Sequence, residues 1–220
     1  MKLSTFFDHT LLRPDSTLAD MKKICEEAVE FGFASVCVPP YYVGRVAQLL
    51  EKSEVKVTTV IGFPMGYTTT VAKVEEIKRA IDDGVDEVDV VINIGAVKSG
   101  NWKDVQSDLD GMITAAHLKR KLIKVIIETS LLTEEEVQQI CTICRELKPD
   151  FVKTSTGFNG EGATVGVVKL LKKCLGKEIK IKASGGIRTL EDALRLIEAG
   201  ASRLGSSSSV RILKDFAKGN

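Results

Sequence analysis

The sequence predicts an α/β chain folded as a single-domain (β/α)8 TIM barrel over residues 1–220. Three observations lead to that expectation. Short β-rich runs alternate with longer amphipathic segments almost from end to end, the pattern of parallel strands joined by helical crossovers. The runs number eight, each followed by a helical segment, and 220 residues lies near the lower limit of about 200 for such barrels. The glycines gather at the last three strands, whereas a doubly wound open sheet usually carries a glycine fingerprint after its first.

The β-rich runs are, in order, STFFDHT (4–10), ASVCVPP (34–40), KVTTVIGF (56–63), DEVDVVINI (86–94), IKVIIET (123–129), DFVKTST (150–156), IKIKASGG (179–186) and SRLGSSS (202–208). Helical patterns between them include residues 17–32, 70–84, 133–148 and 189–200. Thr133 precedes three glutamates and Thr189 precedes Glu191 and Asp192, as helix N-caps and the helix dipole favour. Gly32, Gly84 and Gly200 stand where helices close on glycine. There is no linker, low-complexity tract or second domain in the pattern.

Composition narrows the function. With 44% hydrophobic and 28% charged residues the chain is ordinary for a globular protein, and at this length a substantial core needs no staples. A formal net charge of +1 gives no case for nucleic acid or an anionic membrane as partner. No apolar run approaches the roughly 20 residues of a membrane span, and MKLSTFFDHT lacks a signal-peptide core. Five scattered cysteines fit a reducing interior, so the expectation is a cytoplasmic protein.

Two lysines break the apolar pattern in matching contexts. Lys153-Thr-Ser-Thr-Gly157 and Lys182-Ala-Ser-Gly-Gly186 each read Lys-x-Ser-x-Gly at the C-terminal end of a strand, one βα unit apart. They are expected at the top of neighbouring strands, where catalytic residues of such barrels project. A single lysine there commonly snorkels or pairs with an acid. Two ammonium groups in one partly buried pocket repel each other, and both effects lower a lysine pKa and free an amine for Schiff-base chemistry. Asp89, among Val88, Val90 and Val91, needs a cationic or hydrogen-bonding partner, for which Lys182 is a candidate. Its carboxylate is either a structural ion pair or a proton carrier. Glu128, ending the fifth strand, poses the same choice.

Gly185-Gly186 closes the seventh strand and Gly205-Ser206-Ser207-Ser208 the eighth. Loops at these places bind phosphate in such barrels, and Gly157 adds a further N–H. Other features read as packing. Cys141 and Cys144 lie on one apolar helical stripe with Val137, Ile140 and Leu147. Cys37 has no neighbouring histidine to activate it, and His9 and His117 sit in no ligand pattern, so no metal is implied. His9 is expected within the barrel wall, with Asp8 and Thr10 competing to face inward.

Taken together, DHTLL (8–12), VCVPP (36–40), GFPMG (62–66), DEVDVVINIGA (86–96), KVIIET (124–129), FVKTSTGF (151–158), KASGGIRT (182–189) and RLGSSS (203–208) resemble the deoxyribose-phosphate aldolase family in order along the whole chain. The resemblance implies a metal-free, cofactor-free class I aldolase. It would interconvert 2-deoxy-D-ribose 5-phosphate with D-glyceraldehyde 3-phosphate and acetaldehyde, often as a homodimer or homotetramer. It places the Schiff base on Lys153, the lysine that perturbs it and assists proton transfer on Lys182, a member of the proton relay on Asp89, and phosphate contacts on Gly157, Gly185, Gly186, Ser207 and Ser208. Two departures stand out. Phe158 occupies a position where some members have lysine, and the chain ends in DFAKGN, where some members carry a terminal tyrosine that aids proton transfer. The alternatives are another Schiff-base aldolase or transaldolase acting on a phosphorylated sugar, and a non-catalytic sugar-phosphate-binding barrel.

Overall fold

All eight β-rich runs contain a strand in the computed structural model, which describes residues 2–219; residues 1 and 220 of the expected domain lie outside the described residues. The strands are β1 (Phe7–Thr10), β2 (Ser35–Val38), β3 (Lys56–Ile61), β4 (Glu87–Val91), β5 (Leu122–Ile126), β6 (Phe151–Lys153), β7 (Lys180–Ser184) and β8 (Arg203–Ser206). Each pairs in parallel with its sequence neighbours, and β8 returns to β1 with Phe7 opposite Leu204, so the sheet closes and no strand edge is left open.

The helices that wrap it are α1 (Leu18–Phe31), α2 (Val43–Leu50), α3 (Thr70–Asp82), α4 (Ile94–Lys98), α5 (Trp102–His117), α6 (Glu134–Leu147), α7 (Val165–Leu175), α8 (Leu190–Ala199) and α9 (Ser209–Lys218). Thr133 and Thr189 cap α6 and α8 as expected, each in a reciprocal capping box that satisfies two orphan donors of the first turn. Thr17 does the same for α1, whose last turn closes on Gly32 in the left-handed region.

Two departures from the sequence reading have local causes. Residues Leu3–Phe6 form a 3₁₀ turn instead of opening the first strand, because β8 supplies pairing only from Leu204, opposite Phe7. Strand β5 stops at Ile126, and Glu128 takes a left-handed conformation (φ 55°) that turns the chain across the barrel mouth.

Strand alternation sorts the side chains into two populations. One set, including Val36, Val88, Val125, Val152 and Leu204, joins the helices in a continuous apolar layer, and Cys141 and Cys144 lie buried in that layer on α6 as the sequence implied. The other set fills the barrel, where branched apolar residues ordinarily dominate. Here that space holds charge: Asp8, Glu87, Asp89, Lys124, Lys153 and Lys182 are all buried. Among the described residues, no helix is long and apolar enough to cross a membrane.

One further buried ion pair fastens the helical layer. Lys73 on α3 donates to Asp108 Oδ2 on α5 at 2.7 Å and to the Val91 carbonyl at the end of β4 at 2.9 Å, while Thr70 Oγ1 donates to Asp108 Oδ1 at 2.8 Å. Removing one partner leaves an uncompensated buried charge. We therefore expect Asp108→Ala to destabilise the protein by about 3–5 kcal/mol in denaturant unfolding, and Lys73→Met/Asp108→Leu to recover most of that loss.

Candidate active site

Alternate positions on six strands aim charged groups at the barrel axis. Lys153 and Lys182 are direct register partners on β6 and β7, so the two matched motifs stand at the same height. Both reach across to β4: Lys153 Nζ lies 2.8 Å and Lys182 Nζ 2.6 Å from Asp89 Oδ2. The expected Asp89–Lys182 partnership is present in the geometry, but it is one of three. Lys124, the register partner of Asp89 on β5, donates to Asp89 Oδ1 at 2.9 Å.

The remaining charges close a ring. Lys182 Nζ also lies 2.5 Å from Asp8 Oδ2 on β1. Asp8 Oδ1 accepts from Ser35 Oγ at 2.7 Å and from the Arg203 guanidinium. Arg203 pairs with Glu87 Oε2 at 3.2 Å, and Lys124 Nζ contacts that same oxygen at 2.6 Å. Arg203, Asp8, Lys182, Asp89, Lys124 and Glu87 thus alternate in sign around a closed circuit of three cations and three anions. Lys153 hangs from Asp89 outside this circuit, with no carboxylate of its own.

The circuit sets the protonation states. Burial opposes ionisation of Asp8 and Asp89, but the surrounding lysines and Arg203 outweigh it and hold both carboxyls well below the usual carboxylate range. Burial likewise disfavours the charged forms of Lys124, Lys182 and Arg203, yet their flanking carboxylates hold them above their ordinary values. Lys153 alone of the four is shifted downward: burial dominates, Asp89 only partly offsets it, and Lys182 adds repulsion. The sequence reading had both lysines lowered together. The structure lowers Lys153 and raises Lys182, because Lys182 has Asp8 as well as Asp89.

Above this layer lies an open cavity of about 350 Å³ at the C-terminal ends of the strands. Of the three charged candidates, Lys153 is the one that lines it. Gly157, Gly185, Gly186 and Ser207 also line it, but Ser208 does not; its N–H donates to Ser206 Oγ at 2.9 Å at the start of α9. Two glycines are required by close approach. A Cβ on Gly162 would sit 2.1 Å from the Gly185 carbonyl oxygen, so the β6–α7 loop can lie on the turn after β7 only because Gly162 has none. A Cβ on Gly205 would come within 3.0 Å of Ser184 Cβ and 3.3 Å of Lys182 Cε, so this glycine leaves room for the β7 side chains beside it, the lysine's stem among them.

Other singled-out residues have structural places. Glu128 accepts from the Thr156 N–H, the Thr156 hydroxyl and Asn159 Nδ2, which fixes the loop after β6. His9 points outward into the wall, 2.8 Å from Glu27 on α1, as expected, and both neighbours face inward, Asp8 into the ionic layer and Thr10 into the cavity. Burial pushes the Cys37 thiol up to about 11, with Asp89 adding to the shift. Phe158 is half exposed, lines the cavity and packs edge-to-face on Phe63 at 5.2 Å. The cavity carries cations at Arg13 and Arg188, which the sequence reading passed over, as it did Lys124, Glu87 and Arg203. Lys124 carried a visible signal, a charge at an inward position of an otherwise apolar strand; Arg203 did not, since it opens the short polar strand RLGS. Among the described residues, no three His, Cys, Asp or Glu side chains are grouped so as to hold a metal ion.

Comparison with known proteins converges on one group. A model of the DeoC/LacD family aldolase matches residues 3–214. A protein of Desulfitobacterium hafniense named deoxyribose-phosphate aldolase is 53% identical over 213 residues, covering 97% of this chain and 98% of its own. One of Thermococcus gammatolerans with the same name is 50% identical over 216 residues, covering 97% and 96%. Among solved structures, the tetrameric deoxyribose phosphate aldolase of Aeropyrum pernix superposes with a TM-score of 0.92 at 32% identity, covering 99% of this chain and 92% of its own.

The uncompensated amine has a cost in stability. Because the folded-state pKa of Lys153 is lowered, the unfolded chain holds that proton more tightly, and this part of the stability rises as pH rises from the folded value toward 10.5. We expect Lys153→Met to melt at a higher temperature than the unaltered protein at neutral pH. The difference should narrow as pH approaches 10.5, which thermal unfolding over a pH series will read.

Proposed function

This chain belongs to the DeoC/LacD aldolase family, and from that premise we propose that it cleaves 2-deoxy-D-ribose 5-phosphate reversibly to D-glyceraldehyde 3-phosphate and acetaldehyde. One geometric observation supports the chemistry above the rest: a buried lysine amine of lowered pKa lines an open cavity whose far wall is built from glycine and serine turns. A neutral amine attacks carbonyls, and a wall of free N–H groups suits a phosphate.

In this reading the Lys153 amine adds to the C1 aldehyde of the open-chain sugar and loses water to give an iminium. The iminium draws the electrons of the C2–C3 bond as the C3 hydroxyl gives up its proton. That proton leaves through a water toward Asp89, whose depressed pKa makes it a transient relay and not a resting proton store. Glyceraldehyde phosphate departs, and the enamine on Lys153 is protonated at carbon and hydrolysed to acetaldehyde. Lys182, tied to Asp8 and Asp89, stays an ammonium through the cycle and holds both carboxylates in place. The electron sink is the iminium, so the sequence calls for no cofactor.

Backbone N–H groups of Gly157, Gly185, Gly186 and Ser207 receive the phosphate, and remote binding there orients the reacting bond. With Ser208 occupied by its bond to Ser206, its part is confined to the first turn of α9. Phe158 brings no charge, so the counter-charge comes from Arg13 and Arg188. Arg13 is available for it, its ion pair with Asp15 being a loose 3.6 Å contact at the surface. The free thiols, buried but for Cys174, fit a cytoplasmic setting. The tetrameric relative supports a homo-oligomer, dimer or tetramer, for this chain.

Borohydride added with substrate should attach a two-carbon group to Lys153, located by peptide mass mapping. A full-yield adduct on Lys153→Ala protein would overturn the assignment, and a product other than acetaldehyde would point to a different Schiff-base aldolase or a transaldolase. Asp89→Asn should lower kcat by about 10²–10⁴-fold, the span of a lost proton-transfer group. Arg13→Gln and Arg188→Gln should each raise KM for the phosphorylated sugar about three- to tenfold while leaving turnover of unphosphorylated 2-deoxyribose unchanged, as expected for a lost charge-assisted contact.

A further inference from the structure

The lower half of the ionic circuit touches neither the cavity nor Lys153. Arg203 and Glu87 open β8 and β4, at the opposite end of the strands from the cavity, and their ion pairs run to Asp8 and Lys124. Yet the charge count of the whole interior turns on them. With both present, three cations face three anions and Lys153 is surplus.

We propose that Arg203 and Glu87 are positioning residues for the Lys153 amine: they complete a ring that is already neutral, and so leave Lys153 the one interior nitrogen with no anion of its own. Without Arg203 the ring carries one net negative charge, and a protonated Lys153 restores neutrality. Without Glu87 the ring carries one net positive charge, and protonating Lys153 becomes harder still. The two removals therefore act on the amine in opposite directions, although neither residue contacts it. The inference rests on the reading of Lys153 as the Schiff-base lysine.

Other groups facing Lys153 do not blur the count. On β4 and β7 it meets Asp89 and Lys182, and on β2 the Cys37 thiol, which burial holds neutral. Asp8, Lys124, Glu87 and Arg203 act from β1, β5, β4 and β8 through the ring; β3 presents the uncharged Thr58 and Val60, and Lys56 on the same face is solvent-exposed at the N-terminal end of the strand, beside Glu87. At the mouth Arg13 and Arg188 line the cavity, while the Glu128 carboxylate is engaged by Thr156 and Asn159.

The test reads the amine and not the cleavage, so its failure is distinct from failure of the substrate assignment. The folded full-length protein is treated with acetaldehyde and cyanoborohydride across a pH series, and the rate of labelling at Lys153 is followed by peptide mass. Arg203→Met should move the pH midpoint of labelling up by about one unit and Glu87→Gln should move it down by a similar amount, the size expected for a unit charge roughly 10 Å away at an effective dielectric near 20. Arg203→Lys, which keeps the charge, and Glu87→Gln/Arg203→Met, which removes one of each sign, should both return the midpoint to that of the unaltered protein. If Arg203→Met does not fold, the Glu87→Gln and double variants decide the matter by the same comparison. Shifts of the same sign, no shift, or a double variant that keeps the displacement of Glu87→Gln would overturn the proposal.

Discussion

Everything else in this barrel depends on placing seven charges inside it. Desolvating a single carboxylate or ammonium costs several kcal/mol even after relaxation, and only close, well-aligned opposite charges offset that cost. The interior meets this condition by alternation: each ring carboxylate lies between cations, and each ring cation between carboxylates. No link of the ring lies within one strand. Asp8–Lys182 joins β1 to β7, Asp89–Lys124 joins β4 to β5, and Arg203–Glu87 joins β8 to β4. The circuit can form only in a closed barrel with the observed register, so fold and charge arrangement specify each other.

The apolar layer and the polar interior therefore have separate tasks. Val36, Val88, Val125, Val152 and Leu204, turned toward the helices, supply the burial that holds the sheet closed. The inward positions are then free to be polar. Within the interior there is a second division along the axis. Toward the N-terminal ends of the strands the charges satisfy one another. Toward the C-terminal ends they give way to Lys153, then to glycine and serine turns, with Arg13 and Arg188 at the rim. In the proposed reaction the amine and the phosphate-binding turns share one cavity at different depths, which suits a substrate with a carbonyl at one end and a phosphate at the other.

Much of this was legible in the sequence because buried charge interrupts apolar strands conspicuously. Lys153, Lys182 and Asp89 stood out, and Asp8 was recognised as a candidate to face inward. Lys124 in IKVIIET carried the same signal but lacked a twin motif, and a single strand lysine is more often a surface snorkel; Arg203 opens the serine-rich SRLGSSS, where a charge does not stand out. Glu87 sits two residues before Asp89, hence on the same face; its partner Lys124 is on the adjacent β5, but Arg203 comes from β8 and only closure brings it near. That Lys153 and Lys182 shift in opposite directions was out of reach for the same reason: the difference is Asp8, a residue at the other end of the chain. Ser208 and Arg13 depended on loop paths, which strand and helix periodicity does not encode.

A neutral ring beside one surplus amine explains why an apolar filling would not serve. Branched side chains would make a firmer barrel, since well-packed hydrophobic residues often equal or exceed buried ion pairs in stability. They would also leave Lys153 desolvated without an acceptor, free to adopt any rotamer. Asp89 gives the amine a fixed position, at 2.8 Å, without the full attraction of a private counter-ion, because Lys124 and Lys182 already claim the same carboxylate. The amine is held and yet left easy to deprotonate. Orientation and nucleophilicity usually oppose each other at a lysine, since the carboxylate that positions an ammonium also stabilises its proton. Sharing one carboxylate among three lysines separates the two effects, and the ring that neutralises the other two makes the sharing possible.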